Sequence, residues 1–282
     1  MKKIFALIVT CALLLTGCGG SKTSDEPKTS NEPLKLGTIK YLNVSETLLD
    51  SYFEKAASRM NQTSSMRAPK HIFFDNMTSM LAALQAGQID ALTTYECVGN
   101  YLAAQNSSCE VTTKGVPKIS DSFCCAMRED NAALQKEFND AILKLTADGT
   151  LAKLAKTYIT DANLSDLPAV DMPKFDGAPT IKVAVTGDLP PLDFVRADGK
   201  PAGFNTAGLS AISQLVGKNF ELVNIDSGAR AVALTSGEVD VVFWVAVPLD
   251  DTILPSDFDK PAGVIVTEPY FTDEIVHVQL KK

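Results

Sequence analysis

An α/β fold of two lobes, each a mainly parallel sheet flanked by helices, is predicted by three observations. ALQAGQIDAL at 83–92 and ALTSGEVDVV at 233–242 are nearly one phrase, a helix end, a glycine and an apolar strand written twice. The order of apolar and polar segments around each copy reads β-α-β-α-β, the signature of a mainly parallel sheet with covering helices. About 248 residues lie beyond a polar stretch near the start, enough for two substantial cores.

In the first half, LKLGTI (34–39) is a short apolar strand. The helix NVSETLLDSYFEKAASRM follows. Asn43 is its expected N-cap, with Glu46 three residues on as in a capping box. Leu48, Leu49, Tyr52 and Phe53 form its apolar stripe. RMNQTSSMRAPK is a polar loop and HIFF a strand. The next helix starts near Asn76 and stops at Gly87, a suitable residue just past a helix end, and IDALTT is the next strand.

The second half repeats that order. IKVAVT (181–186) is a strand. NTAGLSAISQLVG is a helix, expected to be capped by Asn205 and stopped by Gly217. FELVNI is a strand, a helix runs from near Ser227 to Gly237, and VDVVFWV is a strand. The halves then diverge. Residues 131–159 continue the first half as two helices, with Leu134, Phe138, Ile142 and Leu145 on one face, Gly149 as a stop and Thr150 as the next cap. The second half runs through an acidic, proline-containing stretch, 248–263, to strands VIVTEPY and EIVHVQL. TDANLSDLPAVDMPKFDGAPT, rich in Asp and Pro and without periodicity, reads as a linker between the halves.

The N-terminus is a targeting signal rather than part of the fold. Lys2 and Lys3 precede IFALIVTCALLL, an apolar run too short to span a bilayer. Leu15-Thr16-Gly17-Cys18 resembles a bacterial lipobox, which implies cleavage before Cys18 and its lipidation; an ordinary secretory signal is the alternative. GGSKTSDEPKTSNEP reads as a flexible polar leash. Acyl chains on Cys18 would anchor it, each buried CH₂ contributing roughly 0.8 kcal/mol.

The formal charge is −8. No basic run or stripe appears, which argues against nucleic acid as a partner. Outside the leader stand Cys97, Cys109, Cys124 and Cys125. Export permits disulfides, and Cys97–Cys109 is one possible pair, but spacing does not fix connectivity. No C-x-x-C and no clustered histidine points to zinc. His71 and His277 sit in strand-like contexts and read as structural. No G-x-S-x-G, P-loop or G-x-G-x-x-G points to catalysis, and no cofactor is expected.

Several segments resemble the polar amino-acid-binding family of extracellular solute-binding proteins of bacterial ABC importers. IKVAVTGDLPPLDFVRADGKPAGFN, ALTSGEVDVV and VTEPYF are similar to landmarks of that family's first lobe. LKLGTIKYLNVSE, ALQAGQIDALTTYECVGNYLAAQ and TADGTLAKLAKTYI are similar to its second lobe and closing helices. The resemblance implies a two-lobed periplasmic-binding-protein-like fold, but in circularly permuted order. It divides the chain into a lipoprotein signal (1–17), a tether (18–33), a second-lobe-like part (34–118), a closing segment on lobe 1 (119–160), a linker joining the ancestral termini (161–179) and a first-lobe-like part (180–282). Degraded tandem copies are the competing reading, and a domain-swapped dimer the alternative to a monomer.

In such folds the ligand lies beyond the carboxyl ends of strands, between lobes that close on it. The candidate contacts are Lys40, Tyr41, Asn43, Ser45, Thr94, Tyr95 and Glu96 on one side. Asp188, Phe194, Phe243, Trp244, Val245 and Val247 stand on the other. The free N–H groups at 43–45 suit an anionic group. The resemblance implies an Arg for a ligand carboxylate, yet Thr252 or a neighbour stands at its place and no Arg follows Arg230. Tyr95 stands where the family has an Asp for the ammonium, and Leu189 where it has a stacking aromatic. These departures argue for a cation or aromatic amine rather than an ordinary amino acid. The expected function is a lipid-anchored, extracytoplasmic binding protein, not an enzyme, that delivers a small polar or amine-bearing solute to an ABC permease. A ligand sensor is the runner-up, and an enzyme on the same fold a weaker one.

Overall fold

A computed structural model of the chain describes residues 32–59, 68–113, 118–249 and 251–281. The leader 1–17, the lipidation candidate Cys18, nearly all of the tether and most of the polar loop before Pro69 lie outside the described residues. Among the described residues no helix is long and apolar enough to cross a membrane.

The chain begins with β1 (Lys35–Ile39), α1 (Glu46–Arg59), β2 (Lys70–Phe74), α2 (Met77–Gln85), β3 (Ala91–Tyr95), α3 (Glu96–Gln105) and β4 (Cys109–Thr112). Next come β5 (Ser120–Arg128), α4 (Ala132–Ala147) and α5 (Thr150–Ala155), which ends in one wide turn. The rest is β6 (Thr180–Val185), β7 (Asp188–Leu189), β8 (Asp193–Val195), β9 (Pro201–Ala202), α6 (Phe204–Val216), β10 (Asn219–Asn224), α7 (Ser227–Thr235), β11 (Val241–Pro248), β12 (Val264–Val266) and β13 (Phe271–Leu280).

The main strands run β10-β6-β11-β5-β13-β3-β1-β2. At one end β10, β6 and β11 are parallel, and at the other β2, β1 and β3 are parallel. Two long strands connect these ends. β5 pairs antiparallel with β11, and β13 pairs with β5 through Phe271–Glu274 and with β3 through Ile275–Val278. The fold is therefore the two-lobed α/β arrangement expected of a periplasmic-binding-protein-like chain, with β5 and β13 crossing between lobes.

The repeated phrase has the same geometry in both lobes. Gly87 and Gly237 take left-handed φ of 68° and 78°, which glycine adopts without Cβ strain. Each ends its helix and turns the chain into β3 or β11. The next aspartate makes a reciprocal clasp with the first strand of its lobe. Asp90 N–H donates to Lys35 O, and Lys35 N–H donates back to Asp90 Oδ2 at 2.8 Å. Asp240 and Lys182 make the same pair, at 2.9 Å.

Three helix starts differ from expectation. Ser45, not Asn43, caps α1, its Oγ accepting from Leu48 N–H at 3.2 Å. Glu46 instead reaches sideways to accept Phe73 N–H, so the expected capping box does not form. Gly203, not Asn205, precedes α6, because Asn205 is fully buried, where its Nδ2 reaches Asp193 Oδ2. Gly149 precedes α5 in a left-handed turn, leaving Thr150 as its first residue. Cys97, Cys109, Cys124 and Cys125 are buried and free. Cys97 is the second residue of α3 and Cys109 lies beyond its end. Ten helical residues span about 15 Å, too far for a bridge whose Cα atoms must stand within about 7 Å.

The main core runs through both lobes, from Leu92 and Val98 through Phe123 and Phe138 to Leu209 and Val241. Each such fully buried side chain contributes roughly 1.5–3 kcal/mol. Residues 161–179 have little regular structure, yet Leu167 and Val170 are buried and Ala169 bridges Ala202. That segment is held against the first lobe.

Candidate functional site

A cavity of about 50 Å³ lies between the lobes, beyond the carboxyl ends of β1, β3 and β11. That is several times the ~10–15 Å³ one water centre requires. From the second lobe it is lined by Thr38 to Leu42 and Thr93 to Tyr95. From the first come Leu189, Arg230, Trp244 to Ala246 and Asp259, with Ile275 of β13 between.

The turn of Trp244 into this space has a local cause. β11 and β5 keep register up to Phe243 opposite Cys125, then slip, so that Val245 faces Cys124. Trp244 is the extra residue of a bulge, which re-aims a side chain. Phe243 is thereby sent into the core, fully buried and stacked on Tyr270 at 4.7 Å. Trp244 stacks on Phe123 at 4.9 Å and meets Tyr95 edge-on at 5.5 Å.

Arg230 completes the aromatic wall. Its guanidinium carbon lies 5.8 Å from the Trp244 ring, and its Nη1 donates to Trp244 O at 3.2 Å. Arg230 is 4% exposed. Burial pulls its pKa down, while Asp193, Asp259 and Tyr95 pull it back up. Tyr95 donates to Asp121 Oδ2 at 2.8 Å. Burial raises the Asp121 carboxyl to about 6, against the lowering effect of the Tyr95 hydrogen bond. Asp259 is likewise raised by burial to about 6, opposed chiefly by backbone N–H donors at 42–44.

Several buried polar atoms of residues around the cavity have no hydrogen-bond partner among the described residues: Thr38 Oγ1, Thr93 Oγ1, Arg230 Nε and Trp244 Nε1. Asp121 Oδ1, behind Tyr95, is another. Orphans of this kind are costly and uncommon. Four of these five atoms belong to residues that line the one cavity.

The lobes also meet directly. Thr78 N–H and Oγ1 donate to Asp188 Oδ2 at 3.1 and 3.3 Å. Ser227 N–H donates to Asp75 O at 2.9 Å, and Asn76 Nδ2 to Asp226 Oδ1 at 3.3 Å. Asn43 N–H donates to Asp259 Oδ1 at 2.8 Å.

Of the candidates read from sequence, the structure brings Lys40, Tyr41, Thr94, Tyr95, Trp244 and Val245 together around the cavity. Asn43 stands at its rim through its backbone bond to Asp259. The others lie elsewhere. Ser45 caps α1, and Asp188 spends its carboxylate on the lobe-to-lobe seam. Glu96 is exposed at the start of α3. Phe194 packs on the main core, Val247 on the small apolar cluster of the first lobe, and Phe243 is interior. Arg230 and Asp259 are not among the sequence candidates. Arg230 has a signal: Ser227, Arg230, Ala233 and Leu234 share the buried stripe of α7. An arginine on an apolar stripe stands out by periodicity alone. Arg230 lines the cavity from α7, not from the segment after β11 where the resemblance places the family's arginine.

Residues 181–246 match the family model described as bacterial extracellular solute-binding proteins, family 3. The matched segment runs from β6 into β11 and carries Leu189, Arg230 and Trp244 of the cavity wall. The chain is 31% identical over 88 residues to the ABC transporter glutamine-binding protein GlnH of Bacillus subtilis (strain 168), a match spanning 31% of this chain and 32% of that protein. Among solved structures it is similar to the GluR0 ligand-binding core in complex with L-glutamate, at 13% identity and a TM-score of 0.42, covering 90% of this chain and 86% of the other. An ancestral arginine-binding protein bound to arginine is similar at 15% identity and a TM-score of 0.39, covering 89% and 84%. The matched β6–β11 unit is thus similar to the bacterial extracellular solute-binding proteins, family 3, over residues 181–246 of this chain.

Proposed function

We propose that this protein captures a small polar, amine-bearing solute in the interlobe cavity and hands it to an ABC permease, while a lipid on Cys18 holds it at the outer face of the cell membrane. The observation that carries the reading is the ring of unpartnered buried polar atoms around the cavity. Amino-acid-like solutes are the class to test first, since the similar GlnH is named for glutamine. Charge refines the choice. One buried guanidinium, Arg230, is set against three buried carboxyls, Asp121, Asp193 and Asp259. An added ammonium improves that balance, and the faces of Trp244 and Tyr95 attract cations. The reading is of a binding protein rather than an enzyme.

The unusual order of segments fits a circular permutation. Segment 34–160 would follow 180–282 in an ordinary member, with 161–179 joining the original ends. In the sheet, β13 lies one strand away from β1, with β3 between, so a short connection suffices to lead from β13 into β1.

Thermal-shift measurements on the full chain against amino acids, polyamines and aromatic amines test the function. A solute at 100 times its Kd stabilises by roughly 2.7 kcal/mol. No shift across the panel, with turnover of an added compound, would replace the binding reading by an enzymatic one.

A further inference from the structure

Residues 251–263 leave the first lobe after β11 and return to it at β12. In between they reach across to the second lobe. Leu254 and Phe258 are buried against Val44 and Leu49, with Phe73 beside them. Phe258 meets the Tyr41 ring edge-on at 5.1 Å. This apolar contact sets the next residue, Asp259, at the cleft with 7% of its surface exposed.

There its carboxylate meets the start of the second lobe's first helical segment. Asn43 N–H donates to Oδ1 at 2.8 Å, and the Leu42 and Val44 amides on either side help hold the carboxyl's pKa down against burial. Asn43 Nδ2 holds the neighbouring Lys260 O at 3.4 Å. Successive N–H groups converging in this way form a nest that holds an anion. Here the anion belongs to the opposite lobe of the same chain. On the cavity side, Arg230 and Trp244 are more than nine-tenths buried, and their Nε and Nε1 have no partner among the described residues. The nest is thus filled from within, while the donors beside it are not.

We infer that Asp259 is a specificity-determining residue, a built-in acid that fills the second lobe's anion nest, clasps the lobes together and leaves the cavity to a solute bearing an amine but no carboxylate. Two carboxylates cannot share this one turn of backbone N–H groups without strong repulsion at such close range. A solute carboxylate must therefore displace Asp259 and unseat Phe258 with it. The choice of solute rests on the proposed binding function; the clasp does not.

The test uses the full chain, in which Trp244 is the single tryptophan. Acrylamide quenching of its fluorescence reads access to the cleft. In Asp259→Ala, quenching is expected to rise several-fold. Acetate at tens of millimolar is expected to restore the shielding in that variant and leave the wild type unchanged. Matched pairs, tyramine with L-tyrosine and ethanolamine with L-serine, each amine keeping an oxygen that can accept from Arg230 Nε or Trp244 Nε1, are then titrated. The wild type is expected to favour each amine over its amino acid at least about tenfold, and Asp259→Ala to lose or reverse that preference. Asp259→Asn, which keeps shape and an acceptor oxygen, is expected to fall between the two and guards against a folding defect. Unchanged quenching in both variants, or an acetate effect equal in all proteins, overturns the clasp. Equal affinity of the wild type for amine and amino acid overturns the specificity. If no pair binds any variant but acetate still rescues, the clasp stands, and the specificity claim and the solute-binding function both fall.

Discussion

Tyr95 at the end of β3 donates its hydroxyl hydrogen to Asp121 Oδ2 on β5, at 2.8 Å, while the other oxygen of Asp121 has no partner among the described residues. This pair joins the cavity wall of the second lobe to a strand that crosses between lobes. Its half-satisfied carboxyl has a definite pH signature. Asp121 ionises from 3.8 in its ordinary state but about 6 in the fold, because it is buried. Between those values the native state binds more protons than the unfolded one, so this group's contribution is complete below about pH 4 and declines as pH rises through 6. The two-unit difference corresponds to about 3 kcal/mol. Asp121→Asn is therefore expected to exceed the wild type in stability by about 1–3 kcal/mol at pH 8 and to match it at pH 4. Urea melts at both pH values decide; a difference independent of pH refutes the assignment.

Arg230 offers the cavity an unpaired Nε–H beside the Trp244 ring. Arg230→Met keeps the apolar stem and removes the donors. Affinity for an amine that also carries an acceptor oxygen, such as tyramine, is expected to fall at least about tenfold, or 1.4 kcal/mol. Calorimetric titration measures it, and an unchanged Kd would remove Arg230 from the site.

Gly228 lies in the first turn of α7, where the first lobe touches the second. A methyl group there would collide with Asp75 Oδ1 and press on the Lys40 Nζ at 3.1 Å. Alanine otherwise favours a helix by about 1 kcal/mol. Gly228→Ala is thus expected to keep or raise the melting temperature while weakening solute binding and opening the lobes. Small-angle X-ray scattering reads the opening as a larger radius of gyration.

Asp90 and Asp240 hold equivalent places and make equivalent clasps, each near the surface and away from the cavity lining. Alanine at either is expected to cost about 1 kcal/mol of stability and to leave solute affinity unchanged. A loss of binding in either variant, with stability preserved, would give these carboxylates a functional role.

Much of the frame is legible in the sequence because it rests on local rules. Gly87 and Gly237 mark helix ends through a backbone conformation that favours glycine, and the apolar runs after Ile89 and Val239 specify buried strands. The site is less legible because it depends on events at longer range. A one-residue bulge decides that Trp244 faces the cleft and Phe243 the core, and alternation along β11 carries no sign of it. Asp259 reaches the second lobe on a turn-rich segment without periodicity, placed by Leu254 and Phe258. Arg230 is the exception: its place on the buried stripe of α7 is readable from spacing. Asn43 and Asn205 resemble caps by residue type, but burial of Asn205 beside Asp193 and the shorter reach from Ser45 to Leu48 decide otherwise.

The central claim is that a small amine-bearing solute occupies the space between Arg230, Trp244 and Tyr95. Titration of the full chain with such solutes, followed by Trp244 emission and calorimetry together, tests it most directly. Saturable binding of tyramine, whose hydroxyl can accept from Arg230, is expected at one site, with a shift in Trp244 emission that tracks the heat and loss of both in Arg230→Met. Binding that leaves Trp244 emission unmoved, or that survives Arg230→Met intact, would contradict it.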